Sequence, residues 1–199
     1  LVQFNSLPEK IFSSTFHSFS AFNNAGFTLF TGGLFNESIR YNYMIQVIVT
    51  ILVFFGALGF VAMFDLFSFG QLKERKKNPW RDFQFSTKIA LYFSFWLVVA
   101  GAVAFFFLEY ENSISDHGIL GSWITAIFQS VTRTSGFNTV DIGSLTMSMT
   151  ILFLVLMFMG GASGSAAGGI KTSTMAVIYA SVIATIRGKK QPELYKHSI

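Results

Sequence analysis

Thr15-Phe16-His17-Ser18-Phe19-Ser20-Ala21-Phe22-Asn23-Asn24-Ala25-Gly26-Phe27 and Thr125-Ala126-Ile127-Phe128-Gln129-Ser130-Val131-Thr132-Arg133-Thr134-Ser135-Gly136-Phe137 are two copies of one pattern, 110 residues apart. In each copy a short apolar helical stretch ends at a Gly-Phe, and a run of membrane length follows. The helical parts, Phe12–Phe22 and Trp123–Thr132, are too short to cross a bilayer, which takes about 20 residues. Each is expected to dip into the membrane, stop, and return as extended chain. Non-helical backbone at that depth is tolerated only where protein or water surrounds it, and it offers carbonyl oxygens to an ion. Adjacent carbonyls share one axis only if some residues take positive φ, which glycine does at little cost. Gly26 and Gly136 fill that need, and Phe27 and Phe137 are expected to pack outward and anchor the loops. A single Gly-Phe reads as a loop glycine beside a core aromatic. Two in the same topological place read as a paired site.

The chain around these copies is that of a membrane protein. Of its 199 residues 52% are hydrophobic and 12% charged, against about 25% charged in soluble domains. Tyr43–Phe64 and Ile89–Leu108 are uncharged runs long enough to span. A third run, 145–186, is interrupted at Gly160–Gly169 and charged at Lys171. With no cysteine, neither a disulfide framework nor a thiolate metal site is available. The net charge of +4 does not point to nucleic acid, because the basic residues lie between the apolar runs. Asp65–Lys88 carries Lys73, Arg75, Lys76, Lys77, Arg81 and Lys88 against three acids, and Arg187–Ile199 carries Arg187, Lys189, Lys190 and Lys196 against one. Glu109, Glu111 and Asp116 make the segment between the spans acidic. Lysine and arginine favour the cytoplasmic side, which puts the linker and tail inside and both glycine loops outside. Residues 1–64 are expected to hold the pore loop and second helix of one repeat, 65–88 a cytoplasmic linker, and 89–199 a complete next repeat. That repeat has its pore loop at 120–140, its broken helix at 145–186 and a cytoplasmic tail. The start at Leu1, partway into a repeat and without a signal peptide, is expected of a stretch from a longer protein.

Ser20-Ala21-Phe22-Asn23-Asn24-Ala25-Gly26-Phe27 and Thr132-Arg133-Thr134-Ser135-Gly136-Phe137-Asn138-Thr139 resemble the filter loops of the Trk/Ktr/HKT superfamily of potassium transporters, in the second and third repeats of its Ktr-type membrane subunit. The resemblance covers nearly the whole chain. It implies an all-α membrane fold of helix–pore loop–helix repeats, like that of potassium channels, with four repeats around one pore. The two repeats here would be the central pair, and the rest of the polypeptide would supply the other quadrants. It further implies a filter of backbone carbonyls at Asn24, Ala25, Gly26 and Phe27 and at Thr134, Ser135, Gly136 and Phe137. By resemblance, glycine at the filter goes with potassium and serine in one repeat with sodium in some plant members. The subunit would be a homodimer resting on a cytosolic nucleotide-binding ring, for which Lys73–Lys77 and Arg187–Lys196 are candidate docking segments, as they are for anionic lipid.

Gly160-Gly161-Ala162-Ser163-Gly164-Ser165-Ala166-Ala167-Gly168-Gly169 opens the third run. Each glycine costs a helix about 1 kcal/mol relative to alanine. Broken membrane helices are where transporters place ion sites and moving parts. Gly164–Thr172 nearly matches a phosphate-binding P-loop, but Ile170 displaces the lysine by one residue and no soluble strand precedes it. Gly164 and Gly168 also fit a small-residue helix-packing face. The family resemblance implies an intramembrane gate beneath the filter, with Lys171 in its inner half. A charge there is functional or snorkels to the interface.

His17, His117 and His197 stand apart, and no catalytic motif occurs, so an enzyme is not expected, nor any covalent cofactor. Arg133 reads either as a fixed charge with an acidic partner on the outer face or as a mouth residue reaching solvent. The acids Glu109, Glu111 and Asp116 either concentrate cations at the mouth or are solvated. Carbonyl ligands without carboxylates suit a weakly hydrated monovalent cation rather than calcium. Potassium is the expected cargo, with sodium open. The alternatives are a secondary transporter for a small solute bound at the broken helix, and a non-transporting membrane scaffold.

Overall fold

The computed structural model describes residues 6–77, 83–188, 193–194 and 197–198. Its helices in chain order are α1 (Leu7–Phe22), α2 (Glu37–Arg40), α3 (Tyr43–Phe67), α4 (Phe69–Lys77), α5 (Phe85–Glu109), α6 (Ile119–Thr132), α7 (Met147–Phe158) and α8 (Thr172–Ile186). Short 3-10 turns at Gly33–Phe35 and Ile142–Ser144 follow the two glycine loops. The two-residue strands β1 (Glu193–Leu194) and β2 (His197–Ser198) pair antiparallel near the C-terminus. The all-α class expected from the apolar runs holds.

Side-chain caps fix several helix starts. Ser6 Oγ accepts the Glu9 N–H at 3.4 Å, Asn42 Oδ1 the Ile45 N–H at 3.3 Å, and Thr146 Oγ1 the Met149 N–H at 3.3 Å. Among the described residues α3 and α5 are the two helices long and apolar enough to cross a membrane, with mean hydropathies of 2.7 and 2.2. Large apolar side chains on both, including Met44, Ile48, Phe60, Phe95 and Trp96, are exposed. Such faces suit lipid or further protein.

At the centre is α6, packed against α3 and α5, while α1 lies on α3. Phe128 and Val131 of α6 pack with Ala21, Val49, Val53 and Phe137 in one core cluster. Ala126 packs with Phe105, Ile114, Val140, Met149 and Phe153 in a second. The polar residues of α6 are buried too, and each finds a partner. Thr125 Oγ1 donates to Gln46 Oε1 at 3.2 Å, and Ser130 Oγ to the Val98 carbonyl at 2.9 Å.

Three features depart from the sequence reading. The helices before the loops end as predicted, at Phe22 and Thr132, but start earlier, at Leu7 and Ile119. The uninterrupted span at Tyr43–Phe64 is broken, because Gly59 adopts φ 78°, ψ 161° inside α3. The segment 65–88 is not a plain linker: Phe69–Lys77 is helical, and Asp65 is buried within α3, its Oδ2 accepting the Gln84 N–H at 3.0 Å. Of the charges counted in the inner segments, Arg81, Asp82, Lys189, Lys190 and Lys196 lie outside the described residues.

Candidate functional site

The first loop leaves α1 through Asn24, the one non-glycine residue with positive φ (51°) among those described, and Gly26 (φ 73°). The Asn24 and Ala25 N–H groups stay bonded to the end of α1, at the Ala21 and Ser20 carbonyls. The buried Asn24 side chain donates to the Val53 carbonyl of α3 at 3.3 Å, and Ser20 Oγ donates to the Phe27 carbonyl at 2.8 Å. His17 lies within 2.7 Å of the Ser13 carbonyl through Nδ1, accepts the Leu29 N–H at Nε2 (3.3 Å) and stacks on Phe30. That fixes the returning chain.

The second loop repeats this scheme with different supports. The Ser135 and Gly136 N–H groups bond back to the Thr132 carbonyl, and Gly136 takes φ 86°. Ser135 Oγ donates to the same carbonyl at 3.0 Å. With its amide oxygen toward the loop, buried Gln129 accepts the Thr139 N–H at 2.9 Å and the Val140 N–H at 3.3 Å. Phe137 is 1% exposed and anchors the loop in the core. Phe27 does not match it: it is 70% exposed, so the first loop is held by Asn24, Ser20 and His17 instead. His17, Ser20 and Gln129 act through partners 7 to 12 residues along the chain, a role that their place in the repeated pattern does not reveal.

The loops meet. A Cβ placed on Gly26 would overlap the Ser135 carbonyl oxygen and come within 3.2 Å of the Gly136 Cα. A cavity of about 310 Å³ opens above the contact, lined among others by Gly26, Thr28, Gly136, Phe137, Asn138 and Asp141. The carbonyls of Asn24, Ala25, Gly26, Thr134, Ser135 and Phe137 accept no hydrogen bond from the described residues, whereas those of Phe27 and Gly136 are engaged by Ser20 and Asn138. The arrangement presents partly unsatisfied backbone oxygens at one place.

The glycine-rich segment 160–169 is a folded loop, a hairpin only in its closed base, whose two arms run parallel where Met159 and Ile170 form a bridge. Its ends are tied by Gly160 N–H to Ile170 C=O and Ile170 N–H to Phe158 C=O, both 2.9 Å. The break in α3 receives it: Ala162 N–H donates to the Ala57 carbonyl at 2.8 Å, and Phe60 N–H to the Gly164 carbonyl at 3.3 Å. Lys171 bonds within the loop itself. Its Nζ folds over the hairpin and donates to the Ser165 and Ala167 carbonyls at 3.2 and 2.7 Å.

A family model described as "TrkH: Cation transport protein" matches residues 7–199. The chain belongs to this family. It is 37% identical over 192 residues, 95% of its length, to the Ktr system potassium uptake protein B of Bacillus subtilis, and 30% identical over 191 residues to the potassium/sodium uptake protein NtpJ of Enterococcus hirae. It spans 41% and 40% of those two proteins, about two fifths of the length of the curated relatives it matches. The crystal structure of the potassium transporter TrkH from Vibrio parahaemolyticus superposes with a TM-score of 0.69 over 88% of this chain and 36% of that one, at 23% identity. It shares the fold.

Within this TrkH-family fold, the charged residues near the loops differ from expectation. Among the described residues Arg133 meets no acid, and little of it is open to solvent. It is 8% exposed, and its Nε–H donates to the Leu156 carbonyl at 3.1 Å, its Nη1 to Ser130 at 2.8 Å and its Nη2 to Met159 at 3.4 Å. Glu109 is fully buried and holds the start of α7, accepting the Thr146 N–H and hydroxyl at 2.9 and 2.7 Å. Asp116 approaches Arg40 at 3.9 Å. None of the three expected acids lines the cavity; Asp141 does.

Proposed function

We propose that the chain is the central part of a potassium uptake subunit of Ktr type, and that ions shed water onto the backbone oxygens of Asn24–Phe27 and Thr134–Phe137. The observation that carries this reading is the contact of Gly26 with Ser135 and Gly136 beside one cavity, with six neighbouring carbonyls that accept no hydrogen bond from the described residues. Backbone oxygens can replace the hydration shell of an alkali cation. The names of the Bacillus and Enterococcus relatives support potassium as the cargo, and the second leaves room for sodium. Two loops supply half a ring, and the other quadrants would come from the remaining repeats of the polypeptide.

Below the loops the hairpin Gly160–Gly169, fastened by Lys171 to its own carbonyls, is the gate. An ion passes when the Ser165 and Ala167 carbonyls leave the ammonium or the hairpin leaves the α3 break. The loops face outward and the basic segments inward, in a cell membrane. The full subunit forms a homodimer on a cytosolic nucleotide-binding ring, and it is a transporter rather than an enzyme. The test is Gly136→Ser in the full-length protein, with potassium and sodium uptake measured in cells lacking other potassium uptake. A fall in potassium uptake or a shift toward sodium supports the reading. Unchanged uptake from a normally inserted protein overturns it.

A further inference from the structure

Arg133 presents a charge with no carboxylate beside it among the described residues. A guanidinium that is 8% exposed loses most of its hydration, and buried charges persist only when paired or fully hydrogen-bonded. Here the compensation comes from backbone. Leu156 and Met159 lie at the C-terminal end of α7, where the helix carries the negative end of its dipole; the Leu156 carbonyl accepts the Met159 N–H at 3.2 Å and takes the guanidinium as a second donor. The planar fork reaches both while a third bond returns to Ser130 on its own helix.

The two ends of this clasp belong to different parts of the ion path. The backbone of Arg133 runs directly into Thr134, the first residue of the second loop. Met159 runs directly into Gly160, the first residue of the hairpin. A cavity of about 20 Å³, room for one water, lies between them and touches Arg133, Thr134, Ser94 and Gly161. The first copy of the pattern supplies a control. Asn23 holds the place of Arg133 there, is exposed, and bonds only to Phe19 in its own helix. The helix after that copy is not parted by a glycine-rich hairpin. The arginine occurs only in the copy whose following helix is.

We infer that Arg133 is a positioning residue that couples the second loop to the hairpin, so that a change in the hairpin is felt at Thr134–Phe137 through the clasped end of α7. The inference rests on the ion-path reading above and goes beyond it.

The test uses the full-length protein in cells, with potassium uptake kinetics and sodium competition as the readout of the loop. An Ala166→Cys reporter, in a background with any other cysteines replaced, reads the hairpin by its rate of reaction with a water-soluble thiol reagent; Ala166 is exposed. Coupling energies between linked sites correspond to roughly 2- to 30-fold. Arg133→Gln is expected to shift KM for potassium by that range and to speed labelling of the reporter. Lys171→Ala is expected to shift KM when Arg133 is present and to lose that effect in Arg133→Gln. Arg133→Lys, which keeps the charge but not the fork, should fall between. If Arg133→Gln does not reach the membrane, the same two readouts on Arg133→Lys decide. The inference is overturned if the Lys171→Ala shift is absent, or is the same with and without Arg133. It also fails if Arg133 variants move only one readout, since a helix cap alone would move the hairpin and a loop prop alone would move KM. Unchanged uptake in Gly136→Ser sinks the ion path itself, a separate failure.

Discussion

Gly26 and Gly136 hold matching places in two loops, yet a methyl group would meet different surroundings at each. Both take positive φ, which costs a non-glycine residue about 1–2 kcal/mol. Gly136 faces open space, whereas a Cβ on Gly26 strikes the Ser135 carbonyl. Gly136→Ala is therefore expected to lower stability by about 1–2 kcal/mol and to leave the loops adjacent. Gly26→Ala must also push them apart. Thermal unfolding and potassium uptake of the two full-length variants check this: Gly26→Ala should be the more damaging in both, and equal damage would refute it. The glycines were legible because a repeat marks them and a backbone demand explains them. Arg133, Gln129 and His17 were not. Each bonds to backbone of another segment, and sequence spacing does not encode the direction in which a side chain runs across a packed interior. Sequence position places Arg133 toward the outer face, whereas the Leu156 and Met159 carbonyls at the end of α7 take its guanidinium inward.

At the scale of elements, the ends of α1 and α6 were visible in the repeat, and so was the opening of the last run at Gly160. The break in α3 was not. Scattered glycines inside an apolar run are tolerated in a helix at about 1 kcal/mol each, so Gly56-Ala57-Leu58-Gly59 looks like ordinary span. What breaks the helix lies about a hundred residues away: the hairpin uses the Ala57 carbonyl and the Phe60 N–H that the break releases. Gly59→Ala tests this exchange. Its Cβ would come within 2.6 Å of the Ser163 carbonyl, and its φ of 78° is unfavourable for alanine. The variant should straighten α3, loosen the hairpin and speed labelling at an Ala166→Cys reporter, with a stability loss of about 1–3 kcal/mol. Labelling at the parental rate would show that the hairpin keeps its shape without the break.

For the whole molecule, a polar seam joins α2 and α3 to the segment 116–125. It is built from Gln46 with Thr125, Arg40 with Asp116, and Tyr43 with His117, whose hydroxyl and Nδ1 lie 3.0 Å apart. Tyr43 also fills the space that a Cβ on Gly121 would need. His117 is 6% exposed and its Nε2 has no partner among the described residues. Its pKa is held below the ordinary histidine value by burial first and by the Arg40 guanidinium second, with Asp116 opposing. Its folded form is therefore neutral. The unfolded chain takes up the proton first as pH falls, so His117 contributes stability that is present above about pH 6.5 and is lost as pH drops through the lower folded value. Thermal unfolding of the full-length protein between pH 8 and pH 5 should show the melting temperature fall on acidification. His117→Gln should weaken the protein by about 1 kcal/mol at pH 8 through its altered bond to Tyr43 and flatten the acid side of the profile. An identical acid slope in the variant would place the titrating group elsewhere.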